Sequence, residues 1–225
     1  GVRIGSVILS KAPVSIQMGL MSMALSLLLG IPLGAQMARS KSKFWDKLGT
    51  GFIVFINAVP AAVYYIYLQS YGSSAMNIPM LFDYSNPVTW ILPVVSMSLG
   101  SIAYYAMWLR RYMVDEINKD YVKLARAKGV ASSRITMRHV FRNAFVPMIQ
   151  YIPSSLLFTL SGSIYIESLY SVPGMGGLLV DVITRQDNTM VQTLVMIYAT
   201  IGIVGMLLGD LLMAVIDPRI SFARK

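Results

Sequence analysis

The segment DYVKLARAKGVASSRITMRHVFRNAFVP, Asp120 to Pro147, is the most cationic stretch of this chain. Such a run can seat on a partner protein, on anionic lipid or on nucleic acid. The rest of the chain offers little for covalent or acid–base chemistry. There is a single histidine, His139, and no cysteine. That excludes a multi-His or Cys/His metal site, a disulfide framework and thiolate chemistry. Asp210 is the one ionisable residue well inside an apolar run, and by position it is a candidate for a coupled proton or ion. Gly174, Gly176 and Gly177 in VPGMGG suggest a phosphate loop, but Leu179 stands where the third glycine of G-x-G-x-x-G belongs. No G-x-x-x-x-G-K-[ST] occurs anywhere. One histidine and one deep carboxylate leave no catalytic set, so the expectation is a chain without enzyme activity, metal or cofactor of its own.

The elements that position these residues follow from composition. The 225 residues are 56% hydrophobic and 13% charged, with a mean hydropathy of +0.61. Soluble domains carry about 25% charged residues. A membrane-spanning helix needs about 20 apolar residues, and five charge-free runs are long enough. They are Ala12 to Ala38, the stretch between Lys47 and Asp83 with its apolar heart from Gly51 to Tyr71, Tyr84 to Leu109, Asn143 to Ile166, and Asn188 to Gly209 continuing past Asp210 to Ile216. The expected fold is an all-α polytopic membrane protein with five spans. Residues 1–11 form an external lead-in, 12–217 the transmembrane domain and 218–225 a cytoplasmic tail. The chain starts at Gly1 with neither an initiator Met nor a signal-peptide pattern, and a sixth, upstream span is expected in the natural protein.

The cations set the topology. Arg39, Lys41, Lys43 and Lys47 lie between runs one and two. Arg110, Arg111, Lys119, Lys123, Arg126, Lys128, Arg134, Arg138 and Arg142 lie between runs three and four, and Arg219, Arg224 and Lys225 follow run five. The alternate connections carry only Arg185. Positive-inside counting puts the amino end outside and the carboxyl end in the cytoplasm. Burying the central basic segment in lipid would cost more than about 20 kcal/mol, at roughly 2.5–3.5 kcal/mol per Lys or Arg. Residues 114–142 are therefore expected on the cytoplasmic face, tethered to a span at each end.

Within that segment Val114 to Lys128 predicts one helix, free of Gly and Pro. Tyr121, Leu124, Ala125 and Lys128 fall on one face. Gly129 predicts its stop, and Ser132 or Ser133 the amino-terminal cap of a second helix. Lying on anionic lipid is one reading of such a segment. Ala125, Ala127 and Gly129 instead make a slim helix suited to a partner's groove, while a surface helix wants bulkier apolar anchors. Nucleic acid is disfavoured because no aromatic platform accompanies the charges.

Pro32, Pro60, Pro93 and Pro153 punctuate the spans and predict kinks. Asn57, Gln150, Ser154, Ser155, Thr159 and Ser161 are polar groups within spans and must face protein or water. Asn57, Gln150 and Ser161, with Pro173, Gly174 and Gly176 of the glycine-rich turn, are the candidates for a transport pathway or outer gate. Tyr64, Tyr65, Tyr67 and Tyr71 are expected as outer-interface anchors.

Tyr121 to Pro147 resembles the cytoplasmic coupling segment of binding-protein-dependent ABC importers, in the variant of oligopeptide, dipeptide and nickel permeases. The likeness continues in SGSIYIESLYSVPGMGGLLVDVITRQD (Ser161 to Asp187), DLLMAVIDPRI (Asp210 to Ile220) and APVSIQMGLMSMALSLLLGIPLG (Ala12 to Gly34). VPGMGG with RNAFVP is most similar to the first subunit of the permease pair. Lys123, Leu124 and Ala125 replace the Glu-Ala-Ala of the general importer pattern, as the peptide-permease variant tolerates. The resemblance implies a type I importer permease in a prokaryotic cytoplasmic membrane, importing oligopeptides. It implies a second homologous permease subunit, two ABC ATPase subunits that bind ATP and Mg, an external substrate-binding protein, surrounding lipid and no nucleic acid. The ATPase contacts it implies are Tyr121, Lys123, Leu124, Ala125, Arg126, Ala127, Lys128 and Gly129. A passive pore with a basic gate, or a nickel or dipeptide importer, are the alternatives.

Overall fold

The computed structural model describes residues 4–160 and 162–216. Ser161 and the expected tail at 218–225, with Arg219, Arg224 and Lys225, lie outside the described residues. In order, the helices are α1 (Ile4–Arg39), α2 (Phe44–Ala58), α3 (Ala61–Tyr67), a π turn (Leu68–Gly72), α4 (Ser73–Met76), a 3-10 turn (Pro87–Trp90) and α5 (Ile91–Ile117). Next come α6 (Asp120–Ala127), α7 (Ser132–Arg134), a second π segment (Ile135–Phe141), α8 (Arg142–Leu160), α9 (Ile164–Tyr170), α10 (Met175–Thr184) and α11 (Asn188–Ile216). No strand occurs among the described residues. Ile4–Arg39, Pro87–Ile117 and Asn188–Val215 are each long and apolar enough to cross a membrane, and two broken pairs bring the total to as many as five.

Run two is not one straight helix. It breaks at Val59 and Pro60, and Pro60 is extended at ψ 130°. Proline has no N–H to donate and disfavours helical backbone at the residue before it. Pro147 and Pro153 stay inside α8, and Pro93 falls in the first turn of α5, where the missing N–H has no helical acceptor anyway. Helix α1 begins at Ile4, ahead of the expected boundary at Ala12.

Two compact units divide the chain. The first draws on Gly1–Leu25, Val59–Leu99 and Ser154–Gly205. Its cores are apolar: Val14, Met18, Trp90, Ile166 and Tyr170 pack in one, and Met175, Leu179, Val182, Met190 and Leu194 in another. Tyr64 is buried here, whereas Tyr67 and Tyr71 are exposed and stack at 5.5 Å. The expectation that all four tyrosines anchor an interface thus fails for Tyr64, because the break at Pro60 restarts the helical phase. The second unit draws on Ser26–Ala58, Gly100–Pro153 and Met206–Lys225. In it α1 and α5 meet backbone to backbone. A Cβ at Gly30 would stand 3.0 Å from the Ile102 carbonyl oxygen, and one at Gly34 would stand 2.7 Å from that of Ala106. Glycines four residues apart are what permit such an approach between membrane helices.

Candidate functional site

The basic segment forms a helical hairpin in the second unit. The single helix expected over Val114–Lys128 is two: α5 ends at Ile117, Lys119 is extended, and α6 starts at Asp120. The N–H groups of Asn118 and Lys119 turn back to the carbonyls of Asp115 and Glu116, which closes α5 before α6 sets off. Good local helix propensity is overridden by the need to bury Val122, which is fully enclosed. Gly129 ends α6 as expected, at φ +76°. Its N–H donates to Arg126 O (2.9 Å) and that of Val130 to Ala125 O (3.1 Å). This paired closure needs a left-handed residue, and glycine takes that conformation without strain. The cap of the next helix is Ala131, with no side-chain hydrogen bond, so neither Ser132 nor Ser133 is the cap.

Three polar side chains pin the hairpin. The Tyr121 hydroxyl donates to Glu116 Oε1 (2.7 Å), and Asn143 Nδ2 donates to the Tyr121 oxygen (3.0 Å) and to Glu116 (3.3 Å). Partial burial, helped by the Glu116 carboxylate, pushes the phenol up to about 12, so it remains a donor at neutral pH. One residue from the end of α5, one from α6 and one from α8 are thereby joined. Lys123 pairs with Asp120 at 2.8 Å. Leu124, Arg126, Ala127 and Lys128 are exposed and Ala125 is half-buried, so α6 turns one cationic face with an apolar centre away from the unit. His139 is half-buried in the π segment.

A second tie in this unit escaped the sequence. Asp46, buried at the start of α2, takes a forked hydrogen bond from Arg110 (Nε 2.5 Å, Nη2 2.8 Å) and another from Ser42 N–H (2.7 Å). Gln150 donates to Asp210 Oδ1 at 2.8 Å, so among the described residues that carboxylate meets an amide rather than a second charge. Among the described residues no cluster of His, Cys, Asp and Glu could hold a metal ion.

The glycine-rich turn lies in the first unit and is built around a carboxylate that no motif in the sequence singles out. Glu167, in the first turn of α9, is 1% exposed. Its Oε1 accepts the Ser15 hydroxyl (2.7 Å) and its Oε2 accepts Gly177 N–H (3.0 Å), within the first turn of α10. Ser15 Oγ accepts Met175 N–H (2.8 Å), and the Tyr198 hydroxyl donates to Met175 O (2.8 Å). A carboxylate at the positive end of a helix is favourably placed. The glycines make room for it. A Cβ at Gly174 would collide with the Glu167 carboxylate and Ser15 Oγ, and one at Gly176 would come within 2.7 Å of the Ser163 backbone. Gly174 and Gly176 are buried and Pro173 is exposed. Asn57 is exposed on α2, with Nδ2 donating to Ile53 O (2.9 Å). The pathway candidates are thus dispersed: Pro173, Gly174 and Gly176 share one turn, while Asn57 and Gln150 belong to the other unit.

Long apolar helices, a basic hairpin between two of them and a carboxylate-centred turn define a multi-pass membrane protein. Residues 30–222 match the family described as binding-protein-dependent transport system inner membrane component, and the chain belongs to that family. It is 37% identical over 210 residues to the oligopeptide transport system permease protein AmiC of Streptococcus pneumoniae, covering 92% of this chain and 42% of that protein. It is 30% identical to the dipeptide transport system permease protein DppB of Lactococcus lactis, covering 96% of this chain and 71% of that one. Among solved structures, a chain of the inward-facing MetNI methionine ABC transporter superposes with a TM-score of 0.77 at 11% identity, covering 94% of this chain and 96% of that chain. A chain of an amino acid ABC transporter superposes with a TM-score of 0.69 at 16% identity, covering 98% and 100%. Those two likenesses establish the fold, that of type I ABC importer permeases.

Proposed function

We propose that the chain is the transmembrane permease subunit of an ATP-driven oligopeptide importer and forms half of its translocation pathway. Its amino end faces outward and its carboxyl end the cytoplasm of a prokaryotic cell. A second homologous permease subunit completes the pathway. Two ABC ATPase subunits, which bind ATP and Mg, grip α6 from the cytoplasm, and an external binding protein delivers substrate. Relatives named for oligopeptide and dipeptide transport support a peptide substrate over a nickel complex.

The observation that carries the coupling role is the pinned hairpin. The exposed face of α6 offers a partner Leu124 among cations, and Glu116, Tyr121 and Asn143 join α6 to α5 and α8. Force applied to α6 therefore reaches two membrane helices through short bonds rather than through slack chain. Such an element can shift a two-state pore from a remote ATP site. Asn57 and Gln150, polar groups on span helices, are proposed to line the pathway, and the Pro173 to Gly176 turn to form the outer gate.

Because the chain lacks cysteine, Lys123→Cys gives a single crosslinking site. It should crosslink to an ATPase subunit in mild-detergent extracts. Gly129→Asp or Ala125→Glu should abolish ATP-dependent peptide uptake while membrane insertion is unchanged. Normal uptake in both variants, or peptide passage without any ATPase, overturns the proposal and favours a passive pore.

A further inference from the structure

The second unit contains a pocket that borders the coupling hairpin. It measures about 440 Å³, is open to solvent, and lies among the end of α1, the end of α5, α6 and the start of α7, with Arg39, Lys41, Arg126, Ser132 and Ser133 all exposed. Arg39, Lys41 and Arg126 line it with Asn118, Ser132 and Ser133, and no carboxylate does. Among the described residues, none of the three cations makes an ion pair. Lys41 does feel Asp46, but that carboxylate is already taken up by Arg110 and Ser42 N–H. Asn118 turns its Nδ2 to Val114 O (3.0 Å). The two serine hydroxyls cap no helix.

We propose that this cavity binds a phosphate group, held by Arg39, Lys41 and Arg126 with the Ser132 and Ser133 hydroxyls as further donors. Three chain segments converge there with like charge. Such a grouping offers a multivalent anion several cationic donors at once. Guanidinium groups suit phosphate because their N–H donors match its oxygens in pairs. Both an anionic phospholipid headgroup and free phosphate carry this chemistry. Arg39 closes a 36-residue apolar helix, a position that favours the phospholipid. A bound phosphate would tie α6 to the end of α1, a connection separate from the Glu116–Tyr121–Asn143 pin.

The test is a titration of the purified chain in mild detergent, with its partner subunits where they co-purify, read by native mass spectrometry. One arm adds short-chain phosphatidylglycerol and the other inorganic phosphate. A single tightest site is expected, weakened about five-fold by Arg39→Gln and again by Lys41→Gln, at about 1 kcal/mol per cation. Ser133→Leu, which removes a proposed hydroxyl donor and adds bulk at the pocket's edge without changing charge, should also weaken it. Lys43→Gln and Lys47→Gln, exposed lysines that do not line the cavity, should leave it unchanged. Tight phosphatidylglycerol binding with weak phosphate binding assigns a lipid headgroup, and the reverse assigns free phosphate. The proposal is overturned if neither probe binds tightly. It is overturned equally if the four charge variants weaken binding alike, or if Ser133→Leu has no effect in a chain that unfolds at the wild-type temperature.

Discussion

Replacing Glu167 with alanine removes the acceptor around which the glycine-rich turn is built. Two donors lose their partner, the Ser15 hydroxyl and Gly177 N–H. Each sits in a site where Glu167 itself is 1% exposed, away from bulk water. A buried donor left without a partner costs about 1–3 kcal/mol, which makes about 2–6 kcal/mol for the pair. At about 2–4 °C per kcal/mol for a chain of this size, a central loss of ~4 kcal/mol lowers the melting temperature by roughly 8–16 °C. Thermal unfolding of the detergent-solubilised chain measures it, and amide exchange over residues 174–178 reads any local loosening. Ser15→Ala acts on the same network, because Ser15 also accepts Met175 N–H. The double variant should therefore fall short of the sum of the two single losses by about 1–3 kcal/mol. A Glu167→Ala chain with unchanged melting and unchanged exchange at the turn, or strictly additive losses, would refute the cage.

The same geometry predicts a difference between neighbouring glycines. Gly174→Ala should destabilise about as much as Glu167→Ala, whereas Gly177→Ala, whose Cβ would sit 3.2 Å from Val172 O, should shift melting by only a few degrees. Arg110→Met leaves the buried Asp46 carboxylate with only Ser42 N–H, and should cost about 2–4 kcal/mol, trimmed because Arg110 is part-exposed. Adding Asp46→Asn should recover part of that loss in the same melting assay. Gly129→Ala meets no atom within 4 Å, so its penalty is confined to left-handed backbone, about 1–2 kcal/mol. It should reduce transport far less than Gly129→Asp, and equal loss in both would shift the cause from side-chain charge to backbone strain.

What could be read without coordinates was local. Runs of apolar residues marked the spans because burial in lipid depends on the next twenty or so residues and little else. The clustering of cations marked the hairpin for the same reason. Gly129 announced the end of α6 because a left-handed stop is a property of one residue. The errors came where tertiary demands overrode local preference. Val114 to Lys128 has the composition of one helix but breaks at Asn118 and Lys119, because Val122 must turn inward. Tyr64 looked like an interface anchor and is buried, because Pro60 resets which face points inward. Distant partners left no mark at all. Ser15 and Glu167 are 152 positions apart and Asp46 and Arg110 are 64, and no hydropathy window spans such distances. The sequence alone showed which runs are apolar enough to enter a membrane and where its cations gather. Which carboxylates are caged, and which helix ends come together, depends on how helix faces meet, and only the folded structure decided that.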